Sequence, residues 1–369
     1  MKRVVFFLFS LFFFCFSVYA EEFDITGEYV SLYNMNEDML IYSKNDTKKT
    51  SIASLTKMMT TLVAIENIDD LEKVITIKER DFDGTVGYSK AGFSVGDKVT
   101  YLDLLYGIIL PSGADAVNAI VNNTLGYNSF IKKMNETAKK IGMNDTSFAN
   151  PIGKDDENNY STSSDIAKLL KYALKNETFK KVFTTKSYKT SNGINLESTV
   201  NSYKSILNTS EILGAKSGFT KNAGRCLASI TTLNGVDYLL VVINSSTSSP
   251  SNAVKDTITI YDYYSSNYGY KNILNDDTFI KEIPVDLSKE KTYKITGNED
   301  VNKYLKNGDE VTYEYVGSDK ITFNTKKGSK LGVVNIYNGD ELIATSNVYL
   351  ENNIEYYPIV TYVLIFIGV

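Results

Sequence analysis

Ser54-Leu55-Thr56-Lys57 sets a hydroxyl and an amine three residues apart, a spacing that puts both on one face of a helix. A serine becomes a nucleophile when a neighbour takes its proton, and lysine does so only as a neutral amine, a form favoured by burial or by a second cation. The chain has no histidine. Ser-His-Asp and Cys-His catalysis and the H-E-x-x-H zinc hydrolases are therefore excluded, and any serine chemistry here must run on lysine. The plainer reading of Ser54 is a helix N-cap. Ser129 to Lys132 and Ser288 to Lys291 repeat the spacing and read as chance matches on solvated surface.

Two further groups could serve such a site. Ser112, in Pro111-Ser112-Gly113-Ala114-Asp115, lies where one helical pattern stops and the next begins, so it either faces a cleft or caps the second helix. Gly214-Ala215-Lys216-Ser217-Gly218-Phe219-Thr220 offers a cation, a hydroxyl and a close backbone approach on an edge strand, a combination suited to an anionic peptide terminus.

These residues need a scaffold, and the pattern supplies one. Leu55, Met58, Met59, Leu62 and Val63 follow the spacing of a helix with one buried face, so Ser54 opens a core helix near its positive end. Before it, Glu28 to Leu32 and Met39 to Ser43 predict a hairpin around Asn36-Glu37-Asp38. Helices are predicted at Leu102 to Ile109, Ala114 to Val121, Phe130 to Ile141 and Ile166 to Leu174, the last behind Ser163, Ser164 and Asp165. Arg225 to Thr232 and Tyr238 to Asn244 predict a hairpin closed at Asn234-Gly235. From Lys271 the texture becomes short alternating runs, Val311 to Val316, Ile321 to Asn324, Val333 to Tyr337 and Leu342 to Thr345, which predict an all-β region. The fold class is a mixed α/β (α+β) domain followed by a small all-β domain.

The ends carry targeting signals. Lys2 and Arg3, the apolar run Val4 to Val18 and the small-residue site at Ala20 predict a signal peptide over residues 1–20. Its removal takes two positive charges and shifts the formal net charge from -5 to -7, which argues against nucleic acid as a partner. It also removes Cys15 and leaves Cys226 alone, so no internal disulfide forms and Cys226 reads as a buried small residue. Pro358 to Val369 is an apolar run, and twelve residues of helix reach only about 18 Å against a hydrocarbon core of about 30 Å. It is expected to be a membrane anchor. The domains are then residues 21–270, 271–350 and a tail at 351–369, and the protein is expected to be exported to the extracytoplasmic face of the cell membrane.

In the order Ser54-Leu-Thr-Lys57, Ser112-Gly-Ala114, Lys216-Ser-Gly218, the three groups resemble the motif set of penicillin-recognising serine enzymes. With Ile52-Ala53 and Met58-Met59 around the first, Asp103-Leu104-Leu105-Tyr106-Gly107 before the second, and Phe219-Thr220, Ala223-Gly224 and Cys226-Leu227 after the third, the resemblance is to the low-molecular-mass D-alanyl-D-alanine carboxypeptidase family. It implies a serine β-lactamase/transpeptidase-like domain, catalysis by Ser54, Lys57 and Ser112, and a substrate site made by Lys216, Ser217, Gly218 and Phe219. Ser54 would attack the bond between two terminal D-alanines of a peptidoglycan stem peptide, with the backbone N–H groups of Ser54 and Phe219 as oxyanion hole. Lys216 with Ser217 would hold the terminal carboxylate, β-lactams would acylate Ser54, and no metal or organic cofactor is implied.

This chain departs from that pattern at three places. Ala114 replaces the usual asparagine and can neither bond a substrate amide nor steady Lys57, Ser217 replaces threonine, and Ala253 and Lys255 lie where an arginine for the carboxylate is often found, leaving Arg225 in the region. A penicillin-binding or peptidoglycan-binding protein impaired in turnover by Ala114, and a serine β-lactamase, are the alternatives.

Overall fold

Tyr29–Asn34 (β1) and Met39–Lys44 (β2) pair antiparallel across the expected turn, where Asp38 takes a left-handed φ of 52°. The computed structural model describes residues 23–357, so the leader and the apolar run from Pro358 onward lie outside the described residues. The described chain divides into two compact units between Asp262 and Tyr263.

In the first unit Thr56–Asn67 (α1) follows the hairpin through a short 3₁₀ turn at Ala53–Leu55. Two short strands, Val74–Thr76 (β3) and Lys98–Thr100 (β4), pair with each other. Tyr101–Ile109 (α2), Ala114–Asn123 (α3), Tyr127–Lys140 (α4), Ser163–Ala173 (α5) and Glu177–Thr184 (α6) come next. A second small hairpin, Ser187–Lys189 (β5) with Asn195–Glu197 (β6), precedes Gly214–Thr220 (β7), Gly224–Leu233 (β8) and Val236–Ser245 (β9). Asn252–Asn267 (α7) contains the division between the units.

The main sheet is antiparallel with order β2-β1-β9-β8-β7, so β7 is an edge strand. The β8–β9 turn falls at Asn234-Gly235, both at positive φ, as the dipeptide requires. Helix α1 is buried on nearly every side: Met58, Met59, Leu62 and Val63 join Leu104, Leu105, Val117, Ile120, Ile166 and Leu170 from α2, α3 and α5 in one core. Helix starts obey local chemistry, with the Thr100 hydroxyl accepting from Asp103 N at 3.0 Å and Thr162 from Asp165 N at 3.0 Å. Cys226 is a free, buried thiol, and burial pushes it up to about 12.

The second unit is all-β. Tyr268–Leu274 (β10), Phe279–Pro284 (β11), Thr292–Thr296 (β12), Val301–Lys306 (β13), Val311–Gly317 (β14), Lys330–Asn338 (β15) and Glu341–Tyr349 (β16) form the sheets β10-β13, β11-β12 and β14-β15-β16. Their inward side chains, among them Ile273, Ile283, Ile295, Val334, Ile336 and Val348, build a separate core. The run predicted at Ile321 to Asn324 is not a strand: Ile321 makes a single parallel bridge to Val285 and the chain then turns at Asn324, φ 69°. Among the described residues no helix is long and apolar enough to cross a membrane.

Candidate active site

Ser54 lies in the middle of the 3₁₀ turn, so its side chain precedes α1 instead of capping it with a hydrogen bond. Ala53 before it takes φ 47°, a conformation that costs an L-residue about 1 kcal/mol or more and persists only where neighbours enforce it. Two glycines do so. Gly153, at φ 88°, lies so close that a Cβ would collide with the Ala53 carbonyl, and on β7 a Cβ at Gly218 would stand 3.1 Å from Ser54 N. The nucleophile turn is thus clamped between the 150–154 loop and the sheet edge.

Lys57 Nζ stands 2.9 Å from Ser54 Oγ and donates to the Ile152 carbonyl at 2.8 Å. One turn on, the Thr60 hydroxyl donates to the Pro151 carbonyl at 2.6 Å, so α1 is bonded to that loop twice. The carbonyl of Ile152 supplies the anchor for Lys57 that Ala114 cannot. Lys57 is 1% exposed, and burial lowers its amine to about 7, with the Asp115 carboxylate pulling the other way. Asp115 is itself held by Ala91 N at 2.8 Å and Gly92 N at 3.3 Å.

Near neutrality much of the Lys57 population is therefore the free base, able to accept the Ser54 proton. The protonated form, dominant below about 7, is inert as a base. Acylation of Ser54 is expected to rise with pH, pass half-maximum near 7 and fall about tenfold per pH unit below that; stopped-flow rates of penicillin acylation between pH 5 and 9 measure it, and a flat profile would remove Lys57 from the step.

Ser112 sits at φ 67° in the turn between α2 and α3, which is pinned by Gly113 N to Gly107 O and Ala114 N to Ser89 O, each 2.8 Å. A cleft of about 810 Å³ is lined by Ser54, Ser112, Ser217, Gly218 and Phe219 together with Thr199 and Arg225. Ala114 is buried outside that lining. So is Lys216, which is 0% exposed: on β7 it shares the face of Gly218 that is turned to the Ser54 turn, and its amine donates to the Ser217 carbonyl at 2.8 Å, while Ser217 and Phe219 lie on the alternate face. Burial first, and the charge of Lys57 second, push the Lys216 amine well below its ordinary value.

Several contacts had no sequence signal. Thr199 and Ser217 share a hydrogen bond of 2.6 Å, while Thr199 N donates to Leu110 O at 3.1 Å, joining the strand edge to the Ser112 turn. Across the cleft mouth the Thr220 hydroxyl donates to Asp155 at 2.6 Å. Ser288, read from sequence as solvated, is buried and its hydroxyl donates to the Glu355 carbonyl at 3.3 Å.

Comparison with known proteins gives two family matches: residues 17–247 match D-alanyl-D-alanine carboxypeptidase, peptidase family S11, and residues 268–356 match the C-terminal domain of penicillin-binding protein 5. The chain is similar to the D-alanyl-D-alanine carboxypeptidase DacF of Bacillus subtilis strain 168, 28% identical over 330 residues that cover 88% of this chain and 84% of the relative. A D-alanyl-D-alanine carboxypeptidase of a Streptomyces species is 33% identical over 227 residues, 57% of this chain and 78% of the relative. The crystal structure of penicillin-binding protein 5 from Haemophilus influenzae superposes with a TM-score of 0.66 at 22% identity, over 91% of this chain and 99% of that one, a likeness of fold.

Proposed function

The chain belongs to the D-alanyl-D-alanine carboxypeptidase family, and on that premise we propose that it removes the terminal D-alanine from peptidoglycan stem pentapeptides through an acyl-enzyme on Ser54. The observation that carries the proposal is the 2.9 Å approach of a buried Lys57 amine, lowered by burial to about 7, to a Ser54 hydroxyl that opens on the cleft.

Ser54 Oγ attacks the carbonyl of the penultimate D-alanine as Lys57 takes its proton. The oxygen of that carbonyl takes up the charge and is met by the N–H groups of Ser54 and Phe219, donors fixed in place by the clamped turn and the strand edge. Collapse breaks the C–N bond, and the proton held on Lys57 passes through Ser112 to the departing D-alanine amine. Water, deprotonated by the same lysine, then adds to the ester, frees the tetrapeptide carboxylate and restores the Ser54 hydroxyl. Ser217 binds the substrate's C-terminal side, held ready by Thr199. Lys216, on the face of β7 turned to the Ser54 turn, bonds the Ser217 carbonyl and forms with Lys57 a buried pair that cannot easily carry two charges. β-Lactams, whose strained amide enters the same step, acylate Ser54. Export by the predicted leader and attachment by the apolar run from Pro358 onward would put the enzyme on the extracytoplasmic face of the membrane, beside its substrate; the expected tail begins later than residue 351, since Glu355 and Tyr356 are bonded to Ser288 in the all-β unit.

The test is release of free D-alanine from a stem pentapeptide ending in D-Ala-D-Ala, against the same peptide ending in D-Ala-L-Ala. Release from the first alone is expected. Penicillin acylation without release from either peptide would instead favour a binding protein that has lost turnover.

A further inference from the structure

Apart from Ser54 Oγ, the group that holds the Lys57 amine is the Ile152 carbonyl, 2.8 Å away. Ala114 offers the lysine no side-chain amide, so the aim of the general base depends on where the 150–154 loop puts that carbonyl. Among the described residues no backbone–backbone hydrogen bond closes residues 150–154. The Asn150 side chain closes them instead. Its Oδ1 accepts from Gly153 N at 2.8 Å and from Lys154 N at 2.9 Å, and its Nδ2 donates to the Lys154 carbonyl at 3.1 Å. Bonds from an asparagine to the backbone a few residues on turn the chain back on itself, and here they hold Gly153 at φ 88°, seated against Ala53.

Pro151 and Ile152, the two residues inside that closure, are the ones whose carbonyls meet α1, at Thr60 and Lys57. The segment before them is tied down by other asparagines: Phe148 N donates to Asn135 at 2.9 Å and Ala149 N to Asn159 at 3.1 Å. Loss of the Asn150 amide would therefore free residues 151–154 and leave their approach in place. Asn150 is 6% exposed and stands outside the lining of the cleft, so any effect it has on the reaction runs through another residue.

We propose that Asn150 is a positioning residue for acylation: its side chain sets the Ile152 carbonyl and, through it, the aim of Lys57 at Ser54. The proposal rests on the acyl-enzyme reading, in which Lys57 takes the Ser54 proton.

The experiment measures benzylpenicillin acylation, by stopped flow and for slow variants by intact mass, in the parent, Asn150→Ala and Asn150→Ser, and again in a Lys57→Met background. All are read at pH 9, above the value of about 7 to which burial lowers Lys57, so that the amine is the free base; Asp115 and Lys216, the charged groups that act on it, are unchanged. Asn150→Ala is expected to lower the limiting acylation rate about ten- to a hundredfold, as misplacing a reacting group does, and to change the half-saturating penicillin concentration by less than about threefold. Asn150→Ser, whose shorter hydroxyl keeps an acceptor for the loop, should lose less, and it decides the case if Asn150→Ala does not fold. In Lys57→Met no amine is left to aim, and either substitution should cost less than about twofold. A parent-like rate in the folded variant, or an equal loss with and without Lys57, would overturn the positioning role and leave the acyl-enzyme standing. A parent that takes up no penicillin on Ser54 would overturn the acyl-enzyme, and the positioning role with it.

Discussion

Ser54→Ala is expected to lower D-alanine release about 10⁴-fold or more, to the level of the uncatalysed reaction, and to abolish penicillin acylation. The loss is large because Ser54 is the hydroxyl beside the Lys57 amine, the chain has no histidine, and among the described residues the one cysteine, Cys226, is buried with its thiol pushed up to about 12. The fold should hardly register the change. Ser54 is half-buried, makes no capping bond, and leaves Lys57 its bond to the Ile152 carbonyl. Stability is expected to move by less than about 1 kcal/mol in thermal unfolding. D-alanine release surviving in a folded Ser54→Ala protein would mean that the acyl-enzyme forms elsewhere.

Lys57→Met separates chemistry from folding more sharply. Methionine keeps the length and volume of the buried side chain but offers no lone pair for the Ser54 proton. Acylation is expected to fall about 10³-fold or more, the weight of a general base acting on an otherwise unreactive hydroxyl. Stability should move the other way. An amine that is protonated when unfolded and depressed to about 7 when folded opposes folding in full below about 7, so the burden is still nearly complete at neutral pH and fades as pH rises from there toward the ordinary lysine value. Removing the amine lifts it, and the melting temperature of Lys57→Met at pH 7 is expected to equal or exceed that of the parent. A variant that loses activity together with its fold would show that Lys57 is there to hold the structure.

Local periodicity made the scaffold legible. The apolar spacing after Ser54 and the Asn234-Gly235 turn each demand one structure, and α1 and the β8–β9 hairpin form where the pattern puts them. Ile321 to Asn324 misled because alternation says that a segment could pair, not that a partner lies alongside it. The strands β10 to β13 escaped notice because Tyr268–Leu274 and Val301–Lys306 alternate weakly, with Tyr268, Lys271, Lys303 and Lys306 half-buried and the buried residues adjacent instead of alternating. At the site, the spacing of Ser54 and Lys57 could be read because it is a property of one helix. The left-handed Ala53, its clamp at Gly153 and the Ile152 carbonyl could not, since they depend on a loop about a hundred residues away.

The most direct measurement is the mass of the intact protein after brief exposure to benzylpenicillin, followed by peptide mapping of the adduct. One penicilloyl group per chain, on the peptide that contains Ser54 and on that residue, is the expected result. An adduct on Ser112, Ser217 or any other residue, or no adduct on a folded chain, would contradict Ser54 as the nucleophile.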